Sequence, residues 1–326
     1  FAWPDLDIPQ SIKQLESIGP YDASLVLRVH AGKIGISDLQ LRAGSADLLA
    51  VSVRGDVADV KSLAGIKLDM EAGGREVAEL SRLFGKPIPL QGSYALKISI
   101  HDRKAGAYRF DPFILALAEQ QISGAIELDR SDATTRITTD LSAGEIDLTA
   151  MVPVLEEKIK PDVSGIEQAV DQQRVLPEWP VPPQLIRQLD ADIRIRANRV
   201  MVADLDISDL SIKAGSQKNE IKLHAEARTV SYRGVLDEHA GSHQMGGVVL
   251  AASGRAAGDR MAIESFKLSG GSPETVFVLL QGSAADTIRQ TGINLTFDIH
   301  GQEAGYLWQL LRADFRASGP FSLSGS

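Results

Sequence analysis

A stretch of this chain returns with its spacing intact 227 positions later. Gly65-Ile66-Lys67-Leu68-Asp69-Met70 comes back as Gly292-Ile293-Asn294-Leu295-Thr296-Phe297. The offset then holds (292 − 65 = 319 − 92 = 227): Gly74 answers to Gly301, Glu76 to Glu303, Leu80 to Leu307, Leu83 to Leu310, Gly92 to Gly319, Tyr94 to Phe321 and Leu96 to Leu323. Upstream, Gly55 and Asp59 answer to Gly282 and Asp286. What recurs is glycine and alternating apolar residues. Those are positions that build a shape, so the repeat constrains architecture before it says anything of chemistry.

A second echo runs at a different offset. Ile36-Ser37-Asp38-Leu39-Gln40-Leu41-Arg42-Ala43-Gly44-Ser45 returns as Ile207-Ser208-Asp209-Leu210-Ser211-Ile212-Lys213-Ala214-Gly215-Ser216, an offset of 171 (207 − 36). Asp22-Ala23-Ser24-Leu25 resembles Asp190-Ala191-Asp192-Ile193, and the run from Pro9 to Leu15 resembles that from Pro183 to Leu189.

Between these landmarks the dominant period is two. Ile193 and Ile195 alternate with Asp192, Arg194 and Arg196; Ile221, Leu223, Ala225 and Ala227 alternate with Lys222, His224 and Glu226. The same holds for Ile66, Leu68 and Met70, for Tyr94, Leu96, Ile98 and Ile100, and for Ile293, Leu295, Phe297 and Ile299. Alternation of this kind marks strands with one apolar face. About sixteen such segments, at the usual length of roughly 5 to 10 residues, are separated by Gly or Asp/Asn/Ser clusters. The spacing suits consecutive antiparallel strands. The expected fold is therefore mainly β: an elongated, curled antiparallel sheet, either a groove or sandwich-like, built from internal repeats with a few short helices.

Helices are expected at 76–84 and 303–311, each with an acidic residue in its first turn where the helix dipole favours it, and at about 148–160 and 164–173. The proline-dense stretch Leu176-Pro177-Glu178-Trp179-Pro180-Val181-Pro182-Pro183 forbids helix and central strand alike. It divides the chain into a first β-repeat unit with short helices, 1–176, and a second, 177–326. The chain opens on Phe1 and stops at Ser326 within a repeat, which leads us to expect a segment of a larger protein.

The residues argue against several functions. The formal net charge is −9 and no Lys/Arg block exists, so nucleic acid is not an expected partner. With no cysteine there is no disulfide, thiolate metal site or cysteine nucleophile. No 18-residue apolar run spans a membrane. His239 and His243 are four apart, but Gly241 lies between them and the order is not His-Glu-x-x-His, so a polar loop is the reading and no metal is expected. Asp38 and Asp209 break the alternation and read as a bulge or turn device; Glu76 and Glu303 read as helix starts. Trp3 and Trp179, each before proline, read as plugs at the ends of repeat units, and Arg194 and Arg196 as a solvated face, with a lipid-headgroup rim as the alternative. No Gly-x-Ser-x-Gly elbow, phosphate-binding loop or dinucleotide fingerprint is present. Neither catalysis nor a cofactor is expected.

The run Trp179-Pro180-Val181-Pro182 into Leu189-Asp190-Ala191-Asp192-Ile193-Arg194-Ile195, with its continuation through Val200 to Leu205 and Ile207-Ser208-Asp209-Leu210-Ser211-Ile212, resembles bacterial AsmA-like proteins. So do the Gly-Ile-x-Leu strands with a short helix after them, and Gly144-Glu145-Ile146-Asp147-Leu148 opening a helix. The likeness covers mainly 20–155 and 177–326; the amino-terminal membrane helix of the family is not in this chain. The resemblance implies a periplasmic protein of the Gram-negative envelope, tethered to the inner membrane through segments outside this chain. It implies that phospholipid or another acyl lipid is bound and passed along an apolar β-groove, in support of outer-membrane lipid homeostasis. The alternative is a non-enzymatic scaffold that assists outer-membrane protein assembly through envelope-assembly partners.

Physical chemistry leaves two ways to treat one-sided strands with few helices to cover them. The sheet can fold on itself around a dry core, or it can curl into a trough that holds acyl chains. A chain of about 15 methylenes loses roughly 12 kcal/mol on leaving a bilayer for water, at about 0.8 kcal/mol per methylene, and an apolar lining offsets that without any catalytic group. The candidate lining residues are Ile66, Leu68, Met70, Ile193, Ile195, Ile221, Leu223, Ile293, Leu295 and Phe297.

Overall fold

The computed structural model describes residues 19–30, 32–80, 91–131, 134–149, 189–232, 243–305 and 318–326. The chain divides into two compact units, Phe1–Ser131 and Asp132–Ser326. The proline-dense stretch 176–183, where the sequence places its own boundary, lies outside the described residues, as do the expected helices at 164–173 and nearly all of 148–160.

The first unit holds seven strands: β1 (Tyr21–His30), β2 (Lys33–Ser45), β3 (Leu49–Asp59), β4 (Ala64–Gly74), β5 (Tyr94–Lys104), β6 (Ala107–Leu117) and β7 (Gln120–Asp129). Each pairs antiparallel with the next. The second unit holds nine: β8 (Thr135–Asp147), β9 (Leu189–Val202), β10 (Leu205–Gln217), β11 (Glu220–Tyr232), β12 (His243–Ala257), β13 (Arg260–Gly271), β14 (Phe277–Asp286), β15 (Thr291–Gly301) and β16 (Phe321–Gly325). The fold is mainly β, as the alternation implies. In each unit the strand order is the chain order and the first strand does not pair with the last, so neither closes into a barrel.

One pair departs from the expected meander. β8 and β9 run parallel, with Leu141 beside Ile195 and Ala143 beside Ala197. A parallel neighbour needs a crossover of a dozen or more residues, and 148–188 is long enough to supply one.

The 227-residue repeat is a repeat of hydrogen-bond register, and it reaches further than sequence identity does. Gly55 opposite Leu68 becomes Gly282 opposite Leu295, and Gly74 opposite Tyr94 becomes Gly301 opposite Phe321. Upstream, Ile36 opposite Val57 becomes Ile263 opposite Ala284, with a register break before Leu39 in one copy and before Phe266 in the other. Val29 opposite Ile34 becomes Ala256 opposite Met261. Strands β1–β5 and β12–β16 are thus one five-strand unit built twice.

Two devices explain the recurring residues. Tyr94 and Phe321 lie over their cross-strand glycines, so that a Cβ on Gly74 or Gly301 would sit 2.8 Å from the ring. An aromatic ring over bare backbone replaces the packing glycine lacks. The Tyr94 hydroxyl donates to the Leu48 carbonyl at 2.6 Å. Glu76 and Glu303 do more than open a helix. The Glu76 carboxylate accepts from the Gly92 N–H at 2.8 Å and that of Glu303 from the Gly319 N–H at 3.0 Å, each pulling the next strand's entry back to the start of the turn. Of the helix expected at 76–84, a 3₁₀ turn at Val77–Glu79 is described; 81–90 and 306–317 lie outside the described residues.

Asp38 and Asp209 have left-handed backbone, with φ of 55° and 50°. Register breaks flank Asp38 on both sides of β2, the signature of a bulge. The Asp38 N–H donates to Asp56 Oδ1 at 3.0 Å, and Asp209 ion-pairs with Arg228 at 3.1 Å.

Candidate functional site

Because side chains alternate across a strand and cross-strand partners share a face, the registers determine which residues meet. In the first unit, one row on the apolar face is Leu41, Val53, Met70, Ile98 and Phe113. The next is Gly55, Leu68, Ile100, Phe110 and Ile126. Ile66 stands beside Val57 in a third. In the second unit, one row runs Leu141, Ile195, Ile212, Ala225, Leu250, Leu268, Leu280 and Phe297. A parallel row contains Ile193, Ala214, Leu223, Ala252, Phe266, Gly282 and Leu295, and a third contains Ile221, Gly254, Ala284 and Ile293.

All ten residues singled out from the sequence therefore lie on the apolar face of their unit. They differ in cover. Ile66 is buried; Leu68, Met70, Ile193, Ile195, Ile221, Leu223 and Phe297 are half-buried; Ile293 and Leu295 are 39% and 43% exposed. The last two face solvent because β16 pairs only with Phe297–Gly301, so that the start of β15, paired with β14 on one side, has no neighbour on its other side among the described residues. Alternation alone could not have distinguished them, since it fixes a face and not the length of the next strand. Sequence reasoning also missed much of the lining: Val53, Phe113 and Leu250 sit in runs whose period is blurred by bulges or small residues.

Among the described residues, the strands of each unit follow one another in a single sheet, and no second sheet or longer helix is described beside it. Among the described residues neither unit has a second sheet with which to form a sandwich core. The largest fully buried side chains are Met261 and Val276, and Met261 packs with Ala256 and Ile221. A face of this kind offers continuous apolar contact along the row direction, which matches an extended hydrocarbon better than a compact polar ligand.

Thr139 is a polar residue on this face, cross-strand from Ile193. Its hydroxyl is buried with no hydrogen-bond partner among the described residues. Replacing it by the isosteric Val is expected to raise stability by about 1 kcal/mol, the penalty of a buried unsatisfied hydroxyl. Denaturant unfolding of Thr139→Val against the parent checks this, and a loss of stability would show that the hydroxyl has a partner.

The opposite face is charged and internally paired. Arg109 is bonded to Asp111 at 2.6 Å and to Glu127, and both acids raise its pKa, Asp111 more. Arg199 is bonded to Asp206 at 2.5 Å, which raises its pKa likewise. Arg194 and Arg196, read from sequence as a solvated face, are exposed and paired with Asp192 at 3.0 Å and Asp140 at 2.7 Å. Exposed pairs of this kind add little stability; here they occupy cations on the side away from the lining.

This face also carries two concavities. One, of about 930 Å³, runs over the in-register row Gly44, Ala50, Gly73, Ala95 and Ala116. The other, of about 780 Å³, runs over Ser253, Ser265, Ser283 and Asn294. Both are furrows left where short side chains lie between long ones such as Arg42, Glu71 and Lys97, or Lys222 and Lys267. The first is lined largely by glycine and alanine and the second by serine, asparagine and lysine side chains, and the apolar rows remain the candidate site.

Asp129 ends β7 with its carboxylate pulled down to about 2, chiefly by the Ser131 hydroxyl and N–H and then by Lys104. A depressed carboxylate stabilises the fold above its unfolded pKa, and that contribution disappears as the pH falls through about 2. A carboxyl NMR titration should find the Asp129 midpoint there, and Ser131→Ala should move it up towards the ordinary aspartate value. An unchanged midpoint would rule out the serine as the main cause.

His239 and the three tryptophans, Trp3, Trp179 and Trp308, lie outside the described residues; His243 begins β12 opposite Tyr232. No helix among the described residues is long and apolar enough to cross a membrane. No protein-family model, curated protein or solved structure matches the chain.

Proposed function

We propose that this chain is a non-enzymatic, AsmA-like lipid carrier of the Gram-negative periplasm that binds phospholipid or another acyl lipid along its apolar β-face. One observation carries the reading: in-register apolar rows cross successive strands with no second layer over them among the described residues. An apolar face of that extent is unfavourable in water by about 25 cal/mol per Å² left uncovered. An acyl chain laid along the rows removes both its own exposure and that of the face. Passage along the face needs only that successive positions be of similar depth, which the repetition of rows provides. The AsmA-like motifs around 179–212 and the doubled five-strand unit support the same reading.

Site-specific photo-crosslinking in envelope preparations tests it. A benzophenone side chain at Ile195 or Leu223 is expected to form lipid adducts, and one at Arg194 or Lys222, adjacent in sequence but on the other face, is not. Equal adducts from both faces, or none from either, would remove the basis for the proposal.

A further inference from the structure

We infer that the outer edge of β1 is a pairing site for β1 of a second copy of this chain, joined about a twofold axis. Among the described residues β1 is an edge strand, and its apolar residues stand in solvent: Leu25, Val26, Leu27 and Val29 are 44%, 48%, 62% and 74% exposed. Its twin in the doubled unit, β12, is covered. Ala256, the counterpart of Val29, is 1% exposed, because β11 pairs along the outer side of β12 and Ile221 packs on Ala256 and Met261. The β11–β12 pair is thus a template for what β1 lacks. In it Glu220 stands opposite Arg255 and bonds it at 3.1 Å, and Ile221, Leu223, Ala225 and Ala227 follow on the apolar face. Arg255 is the counterpart of Arg28 (255 − 28 = 227).

Transferred to β1, that register calls for a strand with an acid opposite Arg28, then apolar residues at every second position. β1 itself has this pattern. Paired antiparallel with its own copy about Leu25, it sets Asp22 of one chain opposite Arg28 of the other, twice (22 + 28 = 25 + 25). Ala23 then meets Leu27 and Tyr21 meets Val29, on the face where the template has its apolar row. Asp22 and Arg28 are exposed, and no ion pair is found for either among the described residues. A strand that is self-complementary in charge and in face pattern gives a closed, isologous contact instead of an open-ended one. It also prolongs each unit's apolar face into that of its partner.

Sedimentation over a concentration series tests the inference. Asp22→Arg sets four arginines against one another across the axis and is expected to raise the monomer–dimer midpoint concentration by about tenfold or more, equivalent to about 1.4 kcal/mol. The exchanged variant, Asp22→Arg with Arg28→Asp, restores opposite charges and is expected to return to within about threefold of the parent. Both positions are on the surface, and circular dichroism verifies that the variants keep their strands. A parent that stays monomeric at the highest attainable concentration overturns the inference. So does a dimer that neither variant changes, which would be held by another surface.

Discussion

Replacing Ile195 and Leu223 together by Asp is expected to strip the chain of co-purifying acyl lipid while leaving it folded. The two lie in neighbouring apolar rows, each half-buried, with no element over them among the described residues. Each side chain is already half-buried, so an acyl chain over the rest gains about 1 kcal/mol from it, and the pair removes about 2 kcal/mol. A complex of micromolar affinity is held by about 8 kcal/mol, so this term alone should lower retention about thirtyfold. The introduced carboxylates act in the same direction, because covering them with hydrocarbon means desolvating a charge. In the empty protein they meet water, so the fold should survive. Leu68→Asp with Met70→Asp is the corresponding pair in the first unit. Arg194→Asp with Lys222→Asp, on the charged face, is expected to retain lipid at the parental level. Phosphate analysis of solvent extracts reads all three. Full retention by the apolar-face variants, with strand content intact, would place any lipid elsewhere.

The second large effect concerns the fold. Gly55 has a φ of 136°, and a Cβ there would fall 1.9 Å from the Lys67 carbonyl oxygen of β4. Gly282 holds the same place in the other copy of the unit, where a Cβ would fall 2.1 Å from the Asn294 carbonyl oxygen. In both cases the obstacle is backbone on the neighbouring strand, which cannot swing away as a side-chain tip can. Gly55→Val combines this clash with left-handed strain and is expected to destabilise the first unit by about 3 to 5 kcal/mol. Gly282→Val lacks the strained φ and is expected to cost less, in the second unit. The two lie in separate units, so their effects should add. Hydrogen exchange, read unit by unit, separates them. A change below about 0.5 kcal/mol for Gly55→Val, the ordinary range for surface substitutions, would show that β3 and β4 do not approach as described.

These glycines also show how far the sequence is legible. The offset of 227 is visible from Gly55 onwards because close approach and cross-strand ring packing admit few residue types, and the letters are therefore retained. It is fainter in β2 and β13, where Ile36, Leu41, Gly44 and Ser45 answer to Ile263, Leu268, Gly271 and Ser272, and nearly lost in β1 and β12, where the register is the same yet Leu27 answers to Gly254 and Val29 to Ala256. There the shared property is a hydrogen-bond ladder and its bulges, which any residue with a backbone amide can satisfy. The second echo misleads for the same reason. By letters β2 matches β10, whereas its register twin is β13. The parallel β8–β9 pair was not legible either, since a strand's alternation is the same whichever way its neighbour runs.

For the candidate site, alternation assigned each of the ten residues named from sequence to its face, because a period of two leaves only two choices. It could not rank them by depth. Ile66 is 8% exposed and its repeat partner Ile293 39%, a difference set by how far β5 and β16 extend along the strand before them. The charged face follows the same logic: sequence places Arg194 and Arg196 outward, and only the registers show Asp140 brought beside Arg196 from the other side of the crossover.

Native mass spectrometry of the purified chain, followed by solvent extraction and lipid identification, tests the central claim most directly. The expected spectrum shows the chain carrying phospholipid in stoichiometric amount, lost on extraction and absent from the Ile195→Asp, Leu223→Asp variant. A lipid-free mass for the parent, under conditions that keep the strands folded, would contradict the account and leave the apolar rows without the ligand proposed for them.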